Sequence, residues 1–545
     1  MDSAVAVGDA RAAVVSSRLT AFEGASADVL ASMTDRQTGR RGLRPVCRNR
    51  SVRAHGRSSV PVMTSLRFWR APLLALAAVL LLLPQTAVAQ DQADSGPPTW
   101  AAWPESPSFG VRLQGGGASE AATPDRPSYD VALRADRDGS HWTGRQTVSF
   151  RNAASTPLRS VDVRLWGNGA DGCGAPGRPS PVRVSRVVGG APRPLAVGCT
   201  ALQIDLPAPL PYGARTSVSF DVAITVPDRV HRFGRDGAHR YLGNALPLLS
   251  VRDAQGRHLD PDVGFGESFY TLAGDFRVVL DHPDALVVPA TGTSTRHAGA
   301  PGRTISTSVA RGVRDFAWAA GPFRSRTLTT PGGIRLNAYW TATTSPEGVA
   351  TDLRDAAGSV DEFGERFGRY PYGELDLVMS DALDDFGSME FPGLVLLWTE
   401  PEGSAVVHEV AHQWFYGIVG NDQFASPWLD ESFAQYANQL YYREDTGTCW
   451  ADHGEWPSDT AALTRSLAYY ADGHRTEYGR VVYGRGACAL HDLERVLGTP
   501  AMAGMLRGYV REHWLGVSTT ADFKRAAQAA TAKDLGPFWT EHRIH

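Results

Sequence analysis

The segment His408-Glu409-Val410-Ala411-His412 and, after eighteen intervening residues, Glu431 restrict this chain more than any other feature. On a helix, positions four apart lie on one face, because four residues make just over one turn. Both imidazoles can then reach one metal ion, with Glu409 beside them as a general base for water. Val406, Val407, Val410, Ala411 and Phe415 give the segment a helix-compatible apolar pattern, and Gly417 is its expected C-terminal stop. Ser426-Pro427 reads as the N-cap and first residue of a second helix running through Tyr442, with Glu431 in its early part. The chain must therefore fold helix, loop and helix around one site. Two neutral nitrogens, a carboxylate ligand, a carboxylate base and an open position for water make the layout of metal-assisted hydrolysis. A short motif can arise by accident, and it is the flanking helix signals that argue otherwise. A third histidine six residues after His412 would define another ligand set, but that position is Ile418. The third ligand is then the acidic residue of the second helix.

Trp428-Leu429-Asp430-Glu431-Ser432-Phe433-Ala434 and His412-Gln413-Trp414-Phe415 complete a pattern that resembles the M1 family of metallopeptidases, the gluzincin group of aminopeptidase N and leukotriene A4 hydrolase. The resemblance implies one zinc ion per chain, held by His408, His412 and Glu431. Upstream, Gly387-Ser388-Met389-Glu390-Phe391-Pro392-Gly393 is similar to the family's G-x-M-E-N segment. That implies that Glu390 holds the free α-amine of a substrate, and that the backbone at Gly387 and Met389 lines the strand edge along which a peptide lies. A carboxylate suits an ammonium group, because a charge-assisted hydrogen bond is strong and oriented. Phe391 stands where the family pattern has Asn, and the interval to His408 looks shorter than in better-known members; both departures bear on substrate preference. Downstream, Tyr483-Gly484-Arg485-Gly486-Ala487 resembles Y-x-K-G-A, with Arg485 in place of Lys. The resemblance gives Tyr483 the task of donating to the oxyanion of a tetrahedral intermediate, which suits a neutral phenol. Tyr478, close in sequence, is the rival candidate.

With 545 residues, 43% apolar and 21% charged, the chain can build two or three domains with substantial cores. Residues 1–89 contribute a charge of +7, so the remainder carries −11, which argues against a nucleic-acid partner. Leu66-Arg67-Phe68-Trp69-Arg70 is a basic entry to an apolar run, Ala71 to Leu83, broken by Pro84 and followed by Ala87-Val88-Ala89. Residues 63–89 thus read as a secretory signal peptide, its apolar run too short for a membrane span. Residues 1–62 are expected to be a non-native or disordered extension before Met63. The expected product is secreted, with no stable membrane span after cleavage. Cys173, Cys199, Cys449 and Cys488 then allow the pairings Cys173–Cys199 and Cys449–Cys488, with four free thiols as the alternative.

Residues 90–126 form a flexible Pro/Gly/Ser/Ala-rich lead. Period-two alternation at 129–134, 146–150, 160–165, 216–220 and 276–280 predicts an antiparallel β-rich domain over 127–325. Gly266-Glu267-Ser268-Phe269-Tyr270 and Arg314-Asp315-Phe316-Ala317-Trp318 resemble landmarks of the family's first domain, which is saddle- or sandwich-like. From Gly348 the pattern turns helical, with strands near 375–379 and 394–397. The resemblance implies a thermolysin-like, mainly helical zinc catalytic domain over 326–545, so that the fold class is multidomain α+β. The chain stops at His545, short of the large helical C-terminal domain of longer M1 enzymes, and a more open cleft is expected. The function expected is zinc-dependent removal of amino-terminal residues from peptides with a free amino terminus. Two alternatives stand beside it: a zinc endopeptidase or special-substrate hydrolase with relaxed amino-terminus recognition, and an inert binding module. The pocket for the first side chain and the oligomeric state have no local signature.

Overall fold

A computed structural model describes residues 126–545, apart from 176–177, 254, 402 and 445–461. The extension, the signal peptide and all but the last residue of the lead lie outside the described residues, as does Cys449.

The alternation around Tyr129 becomes β1 (Ser128–Ala135), with Tyr129, Val131, Leu133 and Ala135 all facing the core. It belongs to a seven-stranded sheet with β2 (His141–Arg151), β3 (Val182–Val188), β4 (Arg215–Thr225), β5 (Gly274–Pro283), β6 (Thr293–Ala298) and β7 (Arg303–Val313). The spatial order is β6-β7-β5-β1-β2-β4-β3. The expected sheet was wholly antiparallel; the observed one is mixed, because β1 and β5 pair in parallel, Ser128 opposite Asp275 through Arg134 opposite Asp281. Period-two patterning is the same for either direction, and the long excursion between β1 and β5 supplies the crossover that parallel neighbours need. The pair Leu158–Arg164 and Ala201–Leu210 adds a second layer, and Val161, Val163 and Ile204 share one apolar core with Val131, Phe220 and Val278.

A second core lies under a four-stranded sheet of β8 (Arg324–Thr329), β9 (Arg335–Trp340), β10 (Glu374–Ser380) and β11 (Leu394–Trp398), in that order. Its last three strands run parallel and the crossover between β9 and β10 is α1 (Pro346–Phe367). Ser345 caps α1 by accepting from the Gly348 N–H at 3.2 Å, with Pro346 at the first position. Val349, Leu353, Ala356, Val360 and Phe363 of α1 pack into the core that also holds α2 (Val406–Ala411), α3 (Trp428–Tyr442), α4 (Gly486–Leu497), α5 (Thr499–Glu512), α6 (Thr520–Ala529) and part of α7 (Gly536–Glu541). Regular α2 ends at Ala411, ahead of the expected stop at Gly417. Tight turns carry the chain from His412 to Val419, and Tyr416 takes a φ of 126° just before that glycine. Ser426 is not the N-cap of α3: Pro427 holds that place, no side chain caps it, and the helix begins at Trp428. Its end at Tyr442 agrees with expectation, with Arg443 left-handed at φ 61°.

The landmark Arg314-Asp315 joins the two cores. Fully buried Arg314 donates to the carbonyls of Thr271 (3.0 Å), Tyr416 (2.6 Å) and Ile418 (3.2 Å), and to that of Gly516. Burial drives its guanidinium down to about 10. Asp315 accepts from Asn244 at 2.5 Å, and burial pushes its carboxyl up to about 7. The Cys173–Cys199 disulfide is formed, with a Cα–Cα distance of 5.0 Å, and Cys488 is also disulfide-bonded. Among the described residues, no helix is long and apolar enough to cross a membrane.

Candidate active site

α2 and α3 pack against each other, and three side chains meet between them. His408 Nε2 lies 3.1 Å from Glu431 Oε2, His412 Nε2 lies 3.2 Å from the same oxygen, and the two nitrogens are 3.0 Å apart. Ligand atoms bound tetrahedrally at zinc distances stand about 3.3 Å from one another, so this triangle fits a zinc ion. The tautomer fits too. His412 Nδ1 is 3.0 Å from the Phe415 carbonyl, which can only accept, so Nδ1 carries the proton and Nε2 presents its lone pair. All three side chains are buried, and the charge around them is one-sided. Burial opposes the charged form of His412, yet Glu390, Glu431 and Glu409 hold its pKa well above the ordinary value. A buried surplus of carboxylates beside converging imidazoles is the environment that a divalent cation neutralises.

Glu409, on the same helix, is buried, and burial followed by the charge of Glu390 pushes its carboxyl well above the usual range. Glu390 is near enough for its charge to act on both Glu409 and His412. Its carboxyl is raised by burial, and its Oε1 has no hydrogen-bond partner among the described residues. Gln413, the residue after His412, fixes that segment in place. Its Nε2 donates to the carbonyls of Glu390 (3.4 Å) and Phe391 (3.3 Å), while its Oε1 accepts from the Gly393 N–H at 2.8 Å. The backbone of Met389 pairs with Leu396 of β11 in both directions, at 2.8 and 2.9 Å, and its side chain is fully buried. Gly387 stands at φ 90°, a left-handed turn that glycine adopts without strain. Phe391 does not face these carboxylates as a substitute polar contact: its ring is fully buried against Gly243, where a Cβ would collide with it. An aromatic ring here seals the joint between the β-rich and helical parts.

Tyr483 lies in a π-helical turn, Gly479–Arg485, just ahead of α4. Its hydroxyl donates to Glu431 Oε1 at 2.5 Å, and its ring stacks on His408 with centroids 5.6 Å apart. The turn is held by Ser432 of α3, whose hydroxyl donates to the Val482 carbonyl at 2.6 Å, and a Cβ at Gly486 would collide with the same serine. Close helix approach thus accounts for the glycine in the Tyr483–Ala487 segment. Tyr478 packs on Phe265, Tyr470 and Tyr483, and its hydroxyl is buried with no hydrogen-bond partner among the described residues.

Two residues of this site carry no local motif. Glu267, from the β-rich part, is raised well above its usual range by burial and then by the charges of Glu390 and Glu431. Arg232 opposes that rise, with Nη1 3.3 Å from Glu267 Oε1. The Gly266–Tyr270 resemblance pointed to the region of Glu267 without giving it a role. Arg232 left no signal, being one arginine in an arginine-rich chain.

Residues 353–542 match the peptidase family M1 domain. Aminopeptidase N of Lactobacillus delbrueckii subsp. lactis is 29% identical over 250 residues, which make up 40% of this chain and 29% of that protein. Aminopeptidase M1 of Arabidopsis thaliana is 25% identical over 249 residues, 39% of this chain and 27% of that protein. The match therefore covers under a third of the length of these relatives. The M1 zinc metallopeptidase of Deinococcus radiodurans superposes with a TM-score of 0.55 over 77% of this chain and 93% of that one, at 22% identity, a likeness of fold. Residues 353–542 are thus similar to the M1 peptidase domain and follow a β-rich region, and the described chain shares the two-part fold of the M1 metallopeptidase it superposes on.

Proposed function

We propose that this chain is a zinc aminopeptidase that removes amino-terminal residues from peptides. The observation that carries the reading is the buried Glu390 carboxylate beside the His408–His412–Glu431 set, a place for an ammonium group one residue away from the reacting bond. His408, His412 and Glu431 would hold zinc, which when bound supplies Lewis acidity for the scissile carbonyl and for water. Glu409 takes a proton from the attacking water and passes it to the departing amine, as a buried carboxylate with a raised pKa is suited to do. Tyr483 turns its hydroxyl from Glu431 to the oxyanion as negative charge develops there, a bond that strengthens in the transition state. Glu390, with Glu267 nearby, pairs with the free amine and fixes which peptide bond reaches the reacting groups. A variant of the Deinococcus radiodurans enzyme has been solved with a Tyr-Ser-Ala substrate, which supports a peptide as the substrate class here.

The finer architecture belongs to the same reading: a β-rich domain over 127–325, saddle- or sandwich-like, and a thermolysin-like catalytic domain over 326–545. So does export by the signal peptide at 63–89, for which the Cys173–Cys199 disulfide is the support, since such bonds persist in oxidising compartments. The mature protein is expected to begin at Gln90, checked by amino-terminal sequencing of material from the culture medium. The activity is tested with an alanyl fluorogenic amide and its N-acetylated copy on zinc-loaded protein. Acetylation is expected to lower kcat/KM by about 10²-fold or more, the value of a lost charge-assisted anchor plus a carboxylate left unpaired. Equal rates would remove Glu390 as amine anchor and leave an endopeptidase.

A further inference from the structure

We propose that Arg232 is a positioning residue for the amine-binding carboxylates, and that its charge biases the enzyme against a substrate whose first side chain is also cationic. The inference rests on the aminopeptidase reading. Arg232 precedes the short strand Phe233–Asp236 in the β-rich part, and its side chain is only 12% exposed. Its guanidinium works in two directions. Nη1 contacts Glu267 Oε1 at 3.3 Å and Nη2 donates to the Gly266 carbonyl at 3.2 Å, which holds the turn that presents Glu267. Nη1 also lies 3.0 Å from the sulfur of Met389, the residue before Glu390. The plane is clamped by the rings of Phe269 and Phe386, at 5.1 and 5.3 Å from their centroids. One rigid, permanently charged fork thus ties the Glu267 turn to the Met389–Glu390 segment, although these come from different parts of the fold.

Two consequences separate this role from plain packing. Glu267 stands beside the carboxylates of Glu390 and Glu431, and Arg232 is in direct contact with it at 3.3 Å, so that the guanidinium fixes where this carboxylate stands before the substrate arrives. The cation also remains once the substrate amine is seated. An alanine amino terminus adds one positive charge to the carboxylate group, whereas a lysine or arginine adds a second within reach of the Arg232 field, which opposes it in a buried, weakly screened site.

The test uses the full zinc-loaded chain with R232M, R232K, E267Q and R232M/E267Q. Kinetics on alanyl and lysyl fluorogenic amides are paired with calorimetric binding of L-alaninamide and L-lysinamide to the same variants in an E409Q background, a readout free of turnover. R232M is expected to raise KM for the alanyl amide about tenfold with kcat little changed, and to raise the lysyl-to-alanyl ratio of kcat/KM about tenfold. R232K keeps the charge and should hold that ratio near the wild-type value, which keeps the inference testable if R232M folds poorly. In the E267Q background, R232M should add less than about twofold to KM, because the partner it positions is already altered. The inference is overturned if R232M leaves KM and the ratio unchanged, if it lowers kcat equally for every substrate, or if its effect multiplies with that of E267Q. Equal wild-type rates on the free and acetylated alanyl amides would instead defeat the aminopeptidase reading. The amide-binding cycle decides the Arg232–Glu267 coupling separately.

Discussion

In β1 every second side chain is buried, while β10 buries all seven of its residues and α2 all six. The difference sets where each part of the molecule can keep charge. Ion pairs of the seven-stranded sheet sit on its outer face, as with Arg145 and Asp221 at 3.0 Å, where solvent screens them and they contribute little. The helical part has no such outlet around α2 and α3, so its charged groups are enclosed and shift one another. Asp430, beside Glu431, is pushed up to about 8 by burial first and by that neighbour second. The first arrangement keeps charge in solvent at little cost, and the second shifts charged groups toward reactivity. The division of labour is not complete, because the β-rich part extends Glu267 and Arg232 to the reacting group and Arg314 to the turns that follow α2.

Variants that strike the enclosed site should cost most. Glu409→Gln is expected to lower kcat by at least about 10³-fold while zinc content, read by atomic absorption, stays at one per chain. Unaltered turnover would take the base role away from Glu409. Next in size is the joint: Arg314→Met leaves the carbonyls of Thr271, Tyr416 and Ile418 without their buried donor, and should destabilise by about 3–5 kcal/mol in chemical denaturation. A loss under about 1 kcal/mol would mean that the two cores do not depend on this arginine. Tyr483→Phe should lower kcat by about 10²-fold with KM nearly constant, the signature of a bond made in the transition state. The β-rich part offers the contrast. Cys173→Ser with Cys199→Ser should cost about 3 kcal/mol of stability, given a sequence separation of 26, and leave kcat/KM at 25 °C unchanged. Smallest of all, Tyr478→Phe should change kcat less than about threefold; a loss matching that of Tyr483→Phe would transfer the oxyanion role to Tyr478.

Much of this was legible in the chain because helix geometry is local. Residues four apart must share a face, so His408 and His412 needed no tertiary information, and the spacing to Glu431 with Ser426-Pro427 before it required a second helix nearby. Strand alternation around Tyr129 and Phe276 was equally plain, but not the direction of pairing, since a period of two is blind to it. The cap of α3 was misplaced by one residue, as no side chain marks it. Phe391 read as a departure at the substrate, whereas the ring fills the joint against Gly243. Tyr483 and Tyr478 could be ranked from the glycines after Tyr483, but the contact with Glu431 is set by the approach of α4 to α3.

The sequence by itself determined the candidate metal ligands His408, His412 and Glu431 and the carboxylate of Glu409 beside them, because all of these follow from spacing along one or two short helices. Only the tertiary structure decided what surrounds that set: which tyrosine donates to Glu431, that Gln413 braces Glu390, and that Glu267 and Arg232 arrive from the β-rich part. Those contacts join residues far apart in the chain, and their meeting depends on the packing of two cores against each other rather than on the period of any one segment.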